Sequence, residues 1–390
     1  MYPVQVGKLN TLVLFLLVAV FLSGCNDSGF DASASDAPVS EPVSESVTKS
    51  AHKPEEDRPK IYKLSLAQSW TANAPIFAET TENLSRMVKE LSNGQLVIDV
   101  SSADQHHQPF GIFEMVKAGK YDMGHSASYY WKDIDPNTLF FTTLPFGMLA
   151  QEQYAWFYHG GGMGLMQKVY RKHHLLSFPG GNTGNQMGGW FRKEINSLAD
   201  LKGIRMRVPG FAGEVMQELG VEPVNIAPDE LYSAMNEGRI DALEWVGPSL
   251  DLGMRFHEIA PYYYTGWHEP GTELQFLINQ DSWERLPEHL QKILKVAMRT
   301  AAFDMYVQST YESAQNWSTI QVEYPGVKIR TFPPQVVEAM YDVTETLLKK
   351  RADQDTLARE ILDSQSRFQW KVRRWTRISD QAYLNIQPRG

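Results

Sequence analysis

The 390-residue chain holds a single cysteine, Cys25, which excludes an intramolecular disulfide and any metal site built on paired thiolates. It also lacks an excess of basic residues. The formal net charge is −9, which removes nucleic acid from the expected partners. No HExxH, CxxC or EF-hand pattern occurs, and the adjacent pairs His106-His107 and His173-His174 lack the i, i+4 spacing of helical metal ligands. Neither a P-loop nor a complete GxGxxG is present. A serine-hydrolase pattern is incomplete: Gly124-His125-Ser126-Ala127-Ser128 ends in serine where the strained nucleophile turn needs glycine. The run His159-Gly160-Gly161-Gly162 follows that turn, whereas an oxyanion loop precedes it. These absences favour binding over turnover. A secreted hydrolase using Ser126 is kept as the alternative from a different class, and a ligand sensor for a signalling receptor as a third reading.

What is present is a packed body, with 43% hydrophobic and 12% aromatic residues and length enough for two lobes. At the N-terminus, Lys8 precedes the apolar run Leu12 to Leu22, too short to span a bilayer and ending in Leu22-Ser23-Gly24-Cys25. That ending resembles a bacterial lipobox. Residues 1–25 are therefore expected to be a lipoprotein signal peptide with Cys25 lipidated in the mature protein. By resemblance to the bacterial sorting rule, Asn26 and Asp27 favour anchoring in the periplasm at the outer face of the inner membrane, with the outer membrane left open. Residues 26–59, dominated by Asp, Ser, Ala, Pro, Glu and Val, cannot bury a core and read as a flexible spacer.

From Lys60 onward, strands and helices alternate. Lys60 to Ala67 reads as a strand, Pro75 to Leu91 as an amphipathic helix stopped by Asn93-Gly94, Leu96 to Val100 as a strand, Phe110 to Ala118 as a short helix and Tyr121 to His125 as a strand. Two segments match each other. Ile112 to Met123 and Leu231 to Ala242 each read as a short helix, a C-terminal glycine (Gly119, Gly238), a basic residue, an apolar residue, an aspartate (Asp122, Asp241) and a strand. The repetition predicts two related lobes facing one cleft. Further on, Trp283 to Asn316 is long and helical, Val327 to Phe332 is a strand, and a helix follows Pro333-Pro334. The tail from Asp355 to Leu384 is helical with an aromatic and basic face, suited to packing on the body, on a second subunit or on a membrane surface. A solute-binding body over 60–354 and a C-terminal helix over 355–390 follow.

The centre of this organisation is Gly203 to Pro248, a βαβαβ unit in which ligands gather beyond the carboxyl ends of the strands. Arg207 falls near the end of its first strand, with Glu244 and Trp245 near the end of its third. A guanidinium fork there suits a carboxylate. Arg205 shares the face of Arg207, and alternation alone does not choose between them.

Gly119-x-x-Asp122, Lys202-Gly203-Ile204-Arg205-Met206-Arg207-Val208-Pro209, Gly238-x-x-Asp241, Glu244-Trp245 and the Trp283-x-x-Leu286-Pro287 helix start resemble the extracytoplasmic solute-binding proteins of TRAP transporters over Lys60 to Leu384. The segments Asn182 to Phe191, Glu244 to Pro248 and Tyr262 to Gly271 are similar to the branch that binds 2-oxoacids. The resemblance implies an α/β, two-lobed periplasmic-binding-protein-like fold with a hinge cleft and a long C-terminal helix, no enzymatic activity, and delivery of a small organic acid to membrane permease subunits. It implies that Arg207 clamps the ligand carboxylate, that Asn182 and Gln186 supply polar contacts, and that Tyr129, Tyr130, Trp70 and Trp245 line the cleft. It also implies that Glu244, Trp245, Gln186 and Glu269 hold a Na⁺ or Ca²⁺ ion bridging to the ligand. The residues themselves leave Gln186 open as a core-edge amide and both tyrosines open as packing residues. For the tail, the branch implies a homodimer with swapped C-terminal helices, although a helix lying on its own subunit fits the same pattern.

Overall fold

The computed structural model describes residues 60–386. The signal segment, Cys25 and the spacer lie outside the described residues. Eleven strands occur among them: β1 (Tyr62–Gln68), β2 (Leu96–Ser101), β3 (Met123–Ser126), β4 (Leu175–Asn182), β5 (Gly189–Phe191), β6 (Arg205–Arg207), β7 (Glu222–Val224), β8 (Ala242–Leu243), β9 (Tyr262–Tyr264), β10 (Glu273–Asn279) and β11 (Lys328–Arg330). They form two sheets, one in the order β2-β1-β3-β10-β4 and one in the order β11-β9-β5-β8-β6-β7. Each sheet is the floor of one lobe.

In the first sheet, β1 runs parallel to β2 and β3, while β10 is antiparallel to β3 and β4. All seven residues of β10 are buried, as a strand covered on both faces requires. The helix Phe77–Leu91 turns Phe77, Leu84 and Val88 inward, and the helix Glu288–Glu323 covers β4 with Leu294, Met298, Ala301 and Met305. In the second sheet the predicted βαβαβ unit is present as β6, the helix Gly210–Glu218, β7, the helix Leu231–Asn236 and β8. β6 pairs in parallel with both β7 and β8.

The two matching segments perform the same task in the two sheets. After the short helices, Gly119 (φ 69°) and Gly238 (φ 75°) adopt the left-handed conformation that a side chain would penalise. The aspartate that follows then reaches across to the neighbouring strand. Asp122 accepts the Ser65 N–H at 2.8 Å, and Asp241 accepts the Arg205 N–H at 3.1 Å. Each carboxylate thereby starts a parallel strand pair in register, β1 with β3 and β6 with β8.

The chain crosses between the lobes twice in irregular form, at residues 183–188 and 265–272. These crossings lie side by side: the Thr183 N–H donates to Thr272 O at 3.1 Å and the Gln186 N–H to Glu269 O at 2.9 Å. Gly266 is where they touch. A Cβ at Gly266 would stand 1.9 Å from Gln186 O, so only glycine fits. Farther along the chain, the helices Pro334–Gln354 and Thr356–Ile378 pack on each other. Among the described residues no helix is long and apolar enough to cross a membrane.

Candidate functional site at the lobe junction

The ends of β6 and β8 bring Arg207 and Glu244 together. The Glu244 N–H donates to Arg207 O at 2.9 Å, and the Arg207 Nη1 donates to the backbone carbonyl of Glu244. The same nitrogen lies 3.3 Å from Glu244 Oε2, and both side chains are buried. Trp245 places its ring 5.2 Å from the Arg207 guanidinium carbon, a distance at which cation–π attraction operates. Arg205 is used differently. Its guanidinium forks onto Asp241 with two bonds of 2.9 Å at a half-exposed position, so it belongs to the strand-pairing device. Geometry thus separates two arginines that alternation could not.

The hinge crossings carry the remaining groups. Gln186 donates from Nε2 to Thr183 Oγ1 at 2.9 Å. His268 and Glu269 sit on the other crossing, both buried, with Glu269 Oε2 accepting from Thr272 Oγ1 at 2.6 Å. One ligating atom from each of Glu244, His268 and Glu269 lies within 4.8 Å of the others. Around this cluster, Gln186 Oε1, Arg207 Nε, Glu244 Oε1 and both ring nitrogens of His268 are buried without a hydrogen-bond partner. So many unpartnered polar atoms in one place are costly unless something else satisfies them. Burial pushes the Glu244 carboxyl up to about 8, against the pull of Arg207. Burial and the charge of Glu244 push Glu269 up to about 7. Burial also lowers His268, which favours its neutral imidazole.

The donor set suits a hard cation. Carboxylate and amide oxygens from Glu244, Glu269 and Gln186 are the ligands Na⁺ and Ca²⁺ take, whereas the His268 nitrogens add little for such ions. His268 is a residue that sequence reasoning left out of the site, although it stands between Trp267 and Glu269 in a segment already singled out. Asp251 was also left out. It accepts Trp190 Nε1 (2.9 Å), Tyr263 Oη (2.8 Å) and the N–H groups of Val246 and Gly247 (3.0 Å each). It therefore anchors the turn that presents Glu244 and Trp245. Nothing in its local sequence distinguishes it from a solvated aspartate.

Tyr129 and Tyr130 lie on the 3₁₀ turn Ser128–Trp131 after β3, edge to face at 4.9 Å. Burial raises both phenols, and the charges of Arg207, Glu244 and Glu269 act on each. Both tyrosines thus lie within electrostatic reach of the cluster, on the first-lobe side. Trp70 is buried and packs at a tilt against Phe77, ring centroids 4.4 Å apart, while Phe77 meets Trp245 across the cleft at 6.3 Å. These three aromatics line a cavity of about 730 Å³ between the lobes. Asn182 is placed apart in function: its amide donates to Gln153 Oε1 (2.7 Å) and Glu273 Oε2 (3.0 Å), and its oxygen accepts the Gly184 N–H (2.9 Å).

The hydrolase elbow has a different local purpose. Ser126 Oγ shares a hydrogen bond of 2.6 Å with Ser69 Oγ, whose own proton goes to Pro109 O at 2.6 Å. The adjacent His125 accepts from Trp70 Nε1 at 3.0 Å and bonds Gly180 O through Nε2 at 2.9 Å, so both of its ring nitrogens are engaged away from the serine. Burial lowers His125 to about 4, as befits a neutral ring bridging β3 and β4.

Comparison with known proteins decides the family. The description "bacterial extracellular solute-binding protein, family 7" (DctP) matches residues 66–355. The chain belongs to this family. A relative, the monocarboxylate 2-oxoacid-binding periplasmic protein of Nostoc sp., is 35% identical over 322 residues, 82% of this chain and 88% of that protein. A TRAP periplasmic solute binding protein from Colwellia psychrerythraea, solved with bound calcium and pyruvate, is 57% identical with a TM-score of 0.83, covering 84% of this chain and 99% of that one. Another, from Pseudoalteromonas atlantica with bound sodium and pyruvate, is 58% identical with a TM-score of 0.83, covering 84% and 100%. The two-lobed architecture and the role as an extracytoplasmic TRAP solute-binding protein, rather than a hydrolase, follow for this family 7 chain.

Proposed function

We propose that this protein captures a small 2-oxoacid, with pyruvate as the type ligand, together with a Na⁺ or Ca²⁺ ion, does no chemistry on it, and delivers it to TRAP permease subunits in the membrane. The observation that carries this reading is the cluster of buried, unpartnered polar atoms on Gln186, Arg207 and Glu244 at the lobe junction. Arg207 supplies the fork for the acid's carboxylate, and Trp245 covers it. Glu244, Glu269, Gln186 and the backbone of Trp245 hold the cation, which offsets the repulsion between Glu244 and an anionic ligand. Tyr129 and Tyr130 close the first-lobe side, Trp70 flanks the entrance, and Asn182 acts on the ligand indirectly, through the Gly184 backbone of the hinge. The proteins solved with pyruvate and calcium or sodium, both above 55% identical, support this choice of ligand.

Cys25, lipidated, tethers the protein at the outer face of the inner membrane, with residues 26–59 giving it reach to the permease. Two copies pair through the distal C-terminal helix, where Trp370, Trp375 and Ile378 are exposed. The deciding experiment is calorimetric titration of pyruvate into the body, residue 60 onward, with chelator, with Na⁺ and with Ca²⁺. Binding that needs a cation supports the whole reading. Binding equally tight in a chelator-treated, sodium-free buffer removes the cation, and no binding of any 2-oxoacid removes the ligand class.

A further inference from the structure

The helix Thr356–Ile378 offers three polar side chains, Gln365, Gln369 and Arg373, at i, i+4, i+8 spacing, and so on one face, to a single irregular connector. Gln365 Nε2 donates to Phe140 O and Gln369 Nε2 to Phe146 O, each at 2.8 Å, and Arg373 Nη2 donates to Gly147 O. Arg373 Nε also forks onto the buried Glu152, at 2.9 and 2.8 Å. These carbonyls belong to loop and 3₁₀ backbone, so the helix side chains satisfy what a regular ladder would otherwise take up.

The other side of the connector faces the hinge. The Phe146 N–H donates to Trp267 O at 3.1 Å, and the two rings lie 5.9 Å apart. Phe146 has φ 57°, a region that a bulky residue keeps only where its surroundings hold it. Trp267 directly precedes His268 and Glu269. A continuous chain of contacts therefore runs from the C-terminal helix to the crossing that presents Glu269 opposite Glu244.

We infer that Gln369 and Arg373 are positioning residues for the cation site: by gripping Phe146 and Gly147 they fix the backbone of Trp267 to Glu269, and with it the spacing between Glu269 and Glu244. The inference rests on the reading of those two glutamates as cation ligands. Groups that orient a metal's ligands typically alter affinity about ten- to a hundredfold when removed. A helix that merely strapped the lobes together would change melting temperature without touching affinity or the local order of the crossing.

Three variants of the full mature chain test this. Gln369→Leu removes the donor, Arg373→Lys keeps a charge beside Glu152 without the fork, and Lys371→Ala alters an exposed neighbour as control. Amide exchange on the ligand-free protein is expected to quicken at residues 265–272 in the first two variants and to stay at the parent rate in the control. Calcium titration at saturating pyruvate is expected to show affinity reduced about tenfold in the same two. Parent-like exchange at 265–272 in Gln369→Leu overturns the inference, as does parent-like calcium affinity in both variants. A parent protein that binds neither calcium nor pyruvate would defeat the ligand reading, and the cation part of this inference with it, while the exchange arm still decides whether the helix orders the crossing.

Discussion

Arg207 and Glu244 stand 3.3 Å apart at the ends of parallel neighbouring strands, yet each keeps one buried polar atom, Nε and Oε1, without a partner. An ion pair built for stability would use both. This one is half-made, which is the arrangement expected where a second anion and a cation complete it. Replacing Arg207 by Met should leave the fold intact, with Glu244 holding its proton. Pyruvate affinity should fall more than a hundredfold, ~3 kcal/mol, as read by calorimetry. Affinity within a factor of three of the parent would remove Arg207 from the clamp role.

On the proposed reading, the buried carboxyls make cation loading pH-dependent. In the ligand-free protein Glu244 titrates near 8 and Glu269 near 7, both above the usual glutamate range because burial disfavours charge. Raised values in the fold mean a contribution to stability that is present at low pH and lost as pH rises through 7 to 8. A cation favours the ionised forms, so its affinity should be greatest above pH 8 and fall as pH drops. Differential scanning calorimetry should therefore find the empty protein melting lower at pH 8.5 than at 6.5, with calcium and pyruvate reducing or reversing that difference. Identical pH profiles with and without ligand would contradict the assignment.

Asp251 is expected to matter as much as a direct ligand. Asp251→Asn leaves donors at Trp190, Tyr263, Val246 and Gly247 competing for one remaining carbonyl. A loss of ~3 kcal/mol in stability by denaturant unfolding is expected, together with weakened cation binding. A variant as stable as the parent would show that the Glu244 turn holds itself.

Much of this was legible in the residues, and what escaped has a physical cause. The strand and helix pattern before Ala127 and after Gly203 follows hydrophobic period and glycine stops, and the repeated Gly-x-x-Asp segment marked the turn that recurs in both lobes, while the bond each aspartate makes to a neighbouring strand came only from the structure. The strand β4 carries Pro179, Gly180 and Gly181, which break its pattern, and it is stabilised by the fully buried β10 and the long helix. His268 and Asp251 gain their meaning only from tertiary burial. Each is an ordinary polar residue until the second lobe surrounds it.

The close approach at Gly266 gives a test of the hinge. Gly266→Ala would place a methyl group against Gln186 O and push the crossings apart. A stability cost of about 2–3 kcal/mol is expected, with loss of pyruvate binding beyond what the lower melting temperature explains. Normal binding by this variant would mean the crossings move independently of the site.

The exposed distal helix can be tested by light scattering. Trp375→Ser combined with Ile378→Ser should convert a dimer to a monomer while leaving pyruvate affinity within about threefold, since a factor that size is under 1 kcal/mol. A mass unchanged by the pair of substitutions would place any self-association elsewhere.

The 36-residue helix Glu288–Glu323 is about 54 Å long. It lies on β4 in the first lobe, and its far part is fastened to the second by Asn316, which donates to Pro248 O at 2.9 Å and to Ser249 O at 3.2 Å. That is the same short turn that presents Trp245 and contains Asp251. The helix is thus a beam fastened to both lobes beside the two crossings, and separating the lobes requires that it bend or let go of the turn. Release of the cargo then requires mechanical work on the beam, so the protein should unload reluctantly in free solution and readily where another surface pulls on that turn.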